Sequence, residues 1–157
     1  MKDILKCFVS GHHLNEKNGR GIVSFAVPEF GILFRCHADG ARAELEIVAF
    51  LTFLRFAEHN LEIFKKRFLY IFSDFPLLVY LMNNGAAVPS GMEAVIGEAK
   101  KYARQISFQV KWIDPGENRA AGAVNDLPSL PANHTLKIKT FANLSLIESP
   151  EIKNPPL

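Results

Sequence analysis

The chain has 157 residues, which is enough for one domain with a sizeable hydrophobic core. Its formal net charge of +2 is too small to favour strong non-specific binding to nucleic acid. No apolar run is long enough to span a membrane, and the N-terminus lacks the hydrophobic region of a signal peptide, so we expect a cytoplasmic protein.

The N-terminal part of the chain has the pattern of three short strands. Asp3 to Val9 is apolar enough to be a central strand, and Ser10 to Gly21 then reads as a polar, glycine-rich loop. Ile22 to Val27 and Ile32 to Ala38 are two further strands separated by a turn. Together these segments predict an antiparallel meander.

A long apolar helix and a fourth strand follow the meander. Asp39 can N-cap a helix from about Ala41 to His59, whose apolar residues cover more than one stripe. Phe68 to Ser73 then reads as a strand, and Asp74 lies at its C-terminal tip. A right-handed crossover through the long helix should place this strand beside the first strand and parallel to it.

Two more helices and a fifth strand complete the central part of the chain. Pro76 to Asn84 is a short helix, and the capping box Ser90-Gly-Met-Glu93 opens another that ends near Ile106. Phe108 to Ile113 is the fifth strand. These elements continue the alternation of helix and strand that is typical of a sheet with parallel members.

The C-terminal part is predicted as a final helix and an extension. A second capping box, Asp114-Pro-Gly-Glu117, should start a short helix that ends before Pro128. His134 to Leu146 contains a candidate peripheral strand, and the proline-rich end is expected to be a mobile tail. We therefore divide the chain into a domain over residues 1–127 and a C-terminal extension over residues 128–157.

This order of elements predicts an α/β fold built on a five-stranded mixed sheet. Strands one to three are antiparallel, strands four and five are parallel, and helices cover both faces. Cys7 and Cys36 have no metal-ligand spacing and are expected to be small core residues rather than a disulfide. Trp112, in the fifth strand, is also expected in the core.

Four segments, in this order, resemble motifs of the ribonuclease H-like superfamily. Together they cover roughly residues 3 to 127. They are the first-strand segment Phe8-Val-Ser-Gly-His12 with its glycine-rich loop, the helix start Arg42-Ala-Glu-Leu45, the fourth-strand end Tyr70-Ile-Phe-Ser-Asp74-Phe-Pro-Leu-Leu-Val79, and Val110-Lys-Trp-Ile-Asp-Pro-Gly-Glu-Asn118.

The resemblance implies two-metal hydrolysis of phosphodiesters, in which four carboxylates hold a pair of Mg²⁺ ions. Glu44 matches the acid of the helix, and Asp74 matches the acid of the fourth strand. Ser10 stands where the family has its first-strand aspartate, and Gly122 stands where it has the acid of the last helix. Asp126, one helical turn beyond Gly122, is the best candidate replacement. Two of the four expected carboxylates are therefore missing.

Ordinary structural roles compete with these assignments. Glu44 is a favourable acid for the first turn of any helix, and Asp74 could N-cap the helix that begins at Pro76. His12 and His13 could lie at the mouth of the site and bind a softer divalent metal, or could be solvated loop residues.

The leading hypothesis is a catalytically degenerate ribonuclease H-like domain that serves as a binding or assembly module, because two carboxylates cannot neutralise and orient two Mg²⁺ ions. The alternative is a divergent nuclease for RNA or RNA–DNA hybrids. It would use Glu44, Asp74 and Asp126 with Mg²⁺ or Mn²⁺, and His12 or Ser10 would complete the site.

Candidate partners follow from the surface charge and from the C-terminal extension. Two basic clusters could contact the phosphates of a nucleic acid, although a solvated surface is the commoner explanation. The segment Leu136 to Leu146 could add a strand to another chain, which leaves a protein partner or a homodimer open. The two clusters are Lys65, Lys66 and Arg67, and Lys100, Lys101 and Arg104.

Overall fold

The structure is a computed structural model that describes residues 2–15, 20–83, 93–121 and 136–137. Its strands form one sheet in the order β5-β4-β1-β2-β3-β6. Two 3-10 turns, Pro28–Phe30 and Pro115–Glu117, supplement the main elements. The main elements are β1 (Asp3–Asn15), β2 (Arg20–Val27), β3 (Ile32–Asp39), α1 (Arg42–His59), α2 (Leu61–Phe64), β4 (Arg67–Ser73), α3 (Pro76–Asn83), α4 (Glu93–Ala103), β5 (Ser107–Trp112) and β6 (Leu136–Lys137).

The five central strands form the mixed sheet that the sequence predicts. β1, β2 and β3 are antiparallel neighbours, whereas β4 runs parallel to β1 and β5 runs parallel to β4. β6 adds a two-residue parallel pairing beside β3, within the segment predicted to hold a peripheral strand. The crossover from β3 through α1 to β4 therefore places β4 next to β1.

Helix α1 lies against one face of the sheet and forms the core with it. Every residue from 45 to 54 is buried, so this helix is covered on several sides. α3 and α4 pack into the same core. Its phenylalanine rings contact one another, with the Phe53 centroid 5.4 Å from that of Phe25 and 5.9 Å from that of Phe64. The phenylalanine-rich composition thus fills the interior.

Strand β1 is longer than its sequence pattern indicates. It continues from Ser10 to Asn15, where a loop is predicted, and it pairs with β2 as far as Arg20 opposite Asn15. The ladder satisfies the backbone N–H and C=O groups of this polar stretch, so its composition does not end the strand. A register shift between His13 and Asn15 marks the far end of the pairing.

Two local predictions are wrong. Asp39 ends β3 and does not cap α1, because Ala41 holds the N-cap position and no side-chain hydrogen bond caps this helix. Trp112 is 53% exposed rather than buried, because it is the last residue of β5 and β5 is an edge strand.

Other local predictions are confirmed or lie outside the described residues. Asp114 caps its turn by accepting a hydrogen bond from the Gly116 amide at 3.0 Å, although the turn is a short 3-10 helix. Cys7 and Cys36 are buried free thiols, as predicted. The capping box at residues 90–93 lies partly outside the described residues. The predicted last helix does so too, and its described part, residues 115–121, contains only the 3-10 turn Pro115–Glu117. The predicted tail lies outside the described residues. No described helix is long and apolar enough to cross a membrane.

Gly11 is a point of very close approach between α1 and the sheet. A Cβ at this position would overlap the carbonyl carbon of Leu45 and the amide nitrogen of Glu46. Glycine is therefore required here, because it alone lets the helix backbone lie directly on β1. This contact fixes which residues in the first turns of α1 face the strand.

We predict that Gly11→Ala lowers the free energy of unfolding by about 2 kcal/mol or more, because the added methyl group overlaps backbone atoms that cannot rotate away. Gly97→Ala is the matched control, since a Cβ on this exposed α4 residue has no atom within 4 Å. It should leave stability unchanged or raise it by up to about 1 kcal/mol, because alanine is the better helix former. Urea unfolding of both variants measures the difference, and equal stabilities would contradict the close contact.

Candidate functional site

Two of the predicted site residues come together where the parallel pairing of β1 with β4 ends. This pairing extends to Phe8 opposite Phe72, two residues before Ser10 and Asp74. Ser10 is buried within β1, and Asp74, which directly follows β4, is also buried. Ser10 and Asp74 therefore lie on neighbouring segments of the sheet.

The acid of α1 that lies beside Asp74 is Glu46. It is completely buried, and the negative charge of Asp74 acts on it directly. Glu44 is partly buried and has no hydrogen bond or ion pair with another described residue. Because successive helical residues are about 100° apart, Glu44 and Glu46 point to nearly opposite sides of α1. The metal-binding role of Glu44 stays a prediction, and this geometry favours Glu46.

Sequence reasoning missed Glu46, although the chain contains a signal for it. Glu46 is the one charged residue in the stretch from 45 to 54, which is otherwise almost entirely apolar. Acidic side chains are almost never fully buried without a partner, so an acid inside such a stretch marks a polar site in the core.

Arg42 bridges the two buried carboxylates. Its Nη2 atom donates to Glu46 Oε1 at 3.0 Å and lies 3.3 Å from Asp74 Oδ1. The Arg42 side chain is 48% exposed, whereas those of Glu46 and Asp74 are almost completely buried. Glu46 Oε2 is buried and has no hydrogen-bond partner among the described residues. One guanidinium thus supplies the positive charge for both acids.

Asn118 ties the same site to the segment after β5. Its buried Nδ2 group donates to Asp74 Oδ2 at 3.2 Å and to the backbone oxygen of Val9 at 3.0 Å, and its Oδ1 atom accepts from the Ala120 amide. Both amide hydrogens are therefore used. Asn118 lies in one of the motif segments, but the sequence alone assigned it no role. It holds the Asp74 carboxylate in a fixed orientation.

The two histidines, His12 and His13, lie on β1 just beyond Ser10 and Gly11. His13 Nε2 lies 2.7 Å from the backbone oxygen of Gly40, to which it can donate. His12 Nδ1 is buried and has no hydrogen-bond partner among the described residues. Burial lowers the pKa of His12, and the positive charges of Arg35 and Arg42 lower it further. His12 is therefore neutral near pH 7 and lies among cations.

Burial is the main cause that raises the pKa of Glu46, to about 7, and the charge of Asp74 raises it further. The ion pair with Arg42 and the backbone amide of Gly11 oppose this change without cancelling it. Near neutral pH, Glu46 is therefore protonated in a substantial fraction of molecules. Protonation of Glu46 lowers the negative charge that lies beside the Arg42 cation.

The described residues do not fit a two-metal centre. The resemblance implies four carboxylates, whereas no group of three or more His, Cys, Asp or Glu residues converges in the described part of the chain. The two acids that do meet are bridged by a guanidinium. Gly122 and Asp126 lie outside the described residues, so a metal-binding role for Asp126 stays a prediction.

Comparisons with known proteins identify the fold. No protein-family model and no curated protein matches the chain. Among solved structures, it is similar to the RNase H1 of the halophilic archaeon Halobacterium salinarum, with 12% identity and a TM-score of 0.59 over 75% of this chain and 91% of the other. It is also similar to LC11-RNase H1, isolated from compost by a metagenomic approach, with 11% identity and a TM-score of 0.63 over 77% and 91% of the two chains.

LC11-RNase H1 in complex with an RNA/DNA hybrid gives 10% identity and a TM-score of 0.60, over 73% of this chain and 88% of the other. At identities this low, the structural similarity establishes the fold alone and carries no information about activity. The chain therefore has a ribonuclease H-like fold, as its motifs predict.

We predict that Glu46→Gln changes how stability depends on pH. Glu46 has its ordinary pKa of 4.5 in the unfolded chain and about 7 in the folded state, so folding takes up a proton between these values. Wild-type stability should therefore fall as the pH rises from 4.5 to about 7. The neutral glutamine avoids this loss and should make the variant more stable above pH 7, by about 1 to 3 kcal/mol.

Urea unfolding at a series of pH values measures this effect. Glu44→Gln is the matched control, because it removes the same charge from the other side of the helix and should retain the wild-type pH dependence. A Glu46→Gln variant that is less stable than wild type above pH 7 would show that the bridged carboxylate is ionised and net stabilising.

Proposed function

We propose that this ribonuclease H-like domain does not hydrolyse nucleic acid and acts instead as a binding or assembly module. The observation that carries the proposal is the Arg42 bridge between Glu46 and Asp74. It places a permanent cation at the two buried acids that the fold brings together.

A divalent cation and the guanidinium compete for the same oxygen atoms. Mg²⁺ binds hard anionic oxygens and loses its water reluctantly, so it needs several free carboxylates. Asp74 already bonds Arg42 and Asn118, and Glu46 combines its bond to Arg42 with a raised pKa. A dication at this position would also be repelled by Arg42 at short range.

Ser10 supports the same conclusion. It occupies the β1 position for which the resemblance implies an aspartate, and it is buried, opposite Ser24 of β2. A serine hydroxyl is neutral and cannot neutralise a metal ion as a carboxylate does. The strand that the resemblance associates with a metal ligand therefore contributes no charge there.

Nucleic acid is the partner that we favour for the module. LC11-RNase H1, which has a similar fold, forms a complex with an RNA/DNA hybrid. In this chain, the positive charges of Arg35 and Arg42 act on His12, which is neutral and also feels the charge of Asp74. Phosphates would meet less repulsion here than at a site with four free carboxylates.

A divergent metal-dependent nuclease is the second candidate function. Glu46 Oε2 has no hydrogen-bond partner among the described residues, and the half-exposed Arg42 side chain has room to move away from the acids. If it moved, Glu46 and Asp74 would offer two carboxylates to one Mg²⁺ or Mn²⁺ ion. This candidate requires further ligands, for which Asp126 remains the suggestion from the sequence.

Cleavage assays distinguish the two functions. Labelled RNA–DNA hybrid, double-stranded RNA and single-stranded DNA would be incubated with Mg²⁺ or Mn²⁺ and either wild-type protein or Asp74→Asn. We expect no cleavage, or equal cleavage from contamination in both preparations. Cleavage by the wild type that Asp74→Asn abolishes would establish the nuclease and overturn the proposal.

We predict that Arg42→Gln raises the affinity for Mn²⁺ at least about tenfold, because it frees two carboxylates and removes a repelling charge. Isothermal titration calorimetry of the metal alone measures this without any assay of activity. Arg104→Gln is the matched control, because Arg104 is exposed and lies just beyond the end of α4. Tight Mn²⁺ binding by the wild type, unchanged in Arg42→Gln, would show that Arg42 does not exclude the metal.

A further inference from the structure

We propose that the sheet face opposite α1 binds a single-stranded nucleic acid, along β1, β4 and β5. This inference rests on the binding role proposed above and names its partner and its surface. Because side chains alternate along a strand, this face is distinct from the one that packs on α1. It is also distinct from the bridged carboxylates, since Glu46 approaches β1 from the α1 side.

Aromatic rings form a continuous row on this face. Phe68, Tyr70 and Phe72 lie on β4 at alternate positions, with neighbouring centroids 5.8 and 6.4 Å apart and neighbouring rings nearly perpendicular. Phe8 on β1 stacks on Phe72 at 5.3 Å. Phe68 and Tyr70 are only partly buried, whereas Phe72 packs against the cluster of Phe8, Ala26 and Ala120. Partly exposed rings of this kind offer stacking positions to unpaired bases.

Phe8 and Tyr70 line a groove of about 660 Å³, which is within the size range of pockets that bind small organic groups. Residues 113–120 cross one end of the face and contact Phe8 and Phe72. They leave the other end open, where Ile4 is 50% exposed. The lining includes Ile4, Lys6, Phe8, Tyr70, Ile113 and Arg119.

Lysines flank the central ring. Lys6 is the strand partner of Tyr70 on β1, and it is exposed. On the other side, Lys111 Nζ lies 4.1 Å from the centroid of the Tyr70 ring. An aromatic platform between two cations matches the chemistry of a nucleotide, because the base can stack while its phosphates meet the ammonium groups.

The charge of the face selects a polyanion over a neutral peptide. Four cationic and two acidic side chains line or border it, an excess of two. Glu29 is already paired, at 3.2 Å, with Arg67, whose position on β4 alternates with those of the aromatic rings. The cations are Lys2, Lys6, Lys111 and Arg119, and the acids are Glu29 and Glu117.

The same geometry favours a single strand over a duplex. Phe8 and Tyr70 lie on the floor of a groove between the turn at Pro28 and residues 113–119. Bases that are paired inside a duplex cannot present their faces to such a floor, whereas unpaired bases can. The phosphate-contacting lysines then contribute salt-dependent affinity with little dependence on sequence.

Fluorescence anisotropy with labelled oligouridylate and oligothymidylate, in buffer without divalent cations, tests the proposal on the full chain. We expect saturable binding that weakens as salt increases. The double variant Lys6→Glu, Lys111→Glu should weaken binding at least about tenfold, and Tyr70→Leu about fivefold or more. Lys65→Glu, Lys66→Glu makes the same change of charge at exposed positions elsewhere and should bind like wild type. Circular dichroism confirms that each variant is folded.

Three results would overturn the proposal. They are no binding to either oligonucleotide, equal affinities for the Lys6/Lys111 and Lys65/Lys66 variants, and protection of Tyr70 from hydroxyl-radical labelling in the free protein. Protection of Tyr70 in the free protein would mean that protein covers this face. A dimer that Tyr70→Leu dissociates would mean the same.

Incubating the same oligonucleotides with Mg²⁺ or Mn²⁺ separates this inference from the proposed function. Cleavage that depends on Asp74 would refute the loss of catalysis and leave the binding face intact. Absence of both cleavage and binding would refute the binding face alone.

Discussion

The rest of the site depends on the close packing of helix α1 on strand β1 at Gly11. With no side chain between them, the two backbones approach until Leu45 and Glu46 lie directly over the strand. The helix can then neither rotate nor slide without overlap, because protein interiors are closely packed. Glu46 is held inside the protein next to the end of β4, where Asp74 is also buried. Every polar contact of the site follows from confining these two acids together.

Two acids confined in this way require compensation. An uncompensated buried carboxylate costs several kcal/mol, and two such groups repel each other at short range. The protein supplies Arg42 to both acids, Asn118 to Asp74, and the Gly11 amide near Glu46. A raised pKa of Glu46 relieves the remaining repulsion through protonation. The contacts that compensate the two buried charges therefore occupy three of the four carboxylate oxygens that a metal could use.

The two faces of the sheet have different properties, and this difference separates stability from the proposed binding. The α1 face is covered by apolar side chains from four helices, so it forms the core. The opposite face carries aromatic rings with lysines beside them and is open at one end. Loss of metal-dependent chemistry at the strand ends would leave this second face unchanged. A binding function on that face can therefore persist without catalysis.

The amino-acid sequence by itself determined the fold class. Hydrophobic periodicity and chain order were sufficient to predict the mixed sheet and the crossover through α1, because these depend on local pattern and on connection handedness. The motif resemblance, rather than periodicity, implied that Asp74 lies beside Ser10. Burial of Cys7 and Cys36 was also predictable from residue type. The length of β1 was not, because the partner strand rather than the local composition satisfies its backbone.

Only the tertiary structure decided which acid of α1 faces Asp74. The sequence pattern predicts the helix but not its rotation about its own axis, so it cannot distinguish Glu44 from Glu46. The rotation is set by the contact with Gly11. The roles of Arg42 and Asn118 were hidden for the same reason, since their partners lie 32 and 44 residues away from them. The exposure of Trp112 likewise depended on where β5 lies in the sheet. Sequence determined which groups the site could use, and packing decided which of them meet.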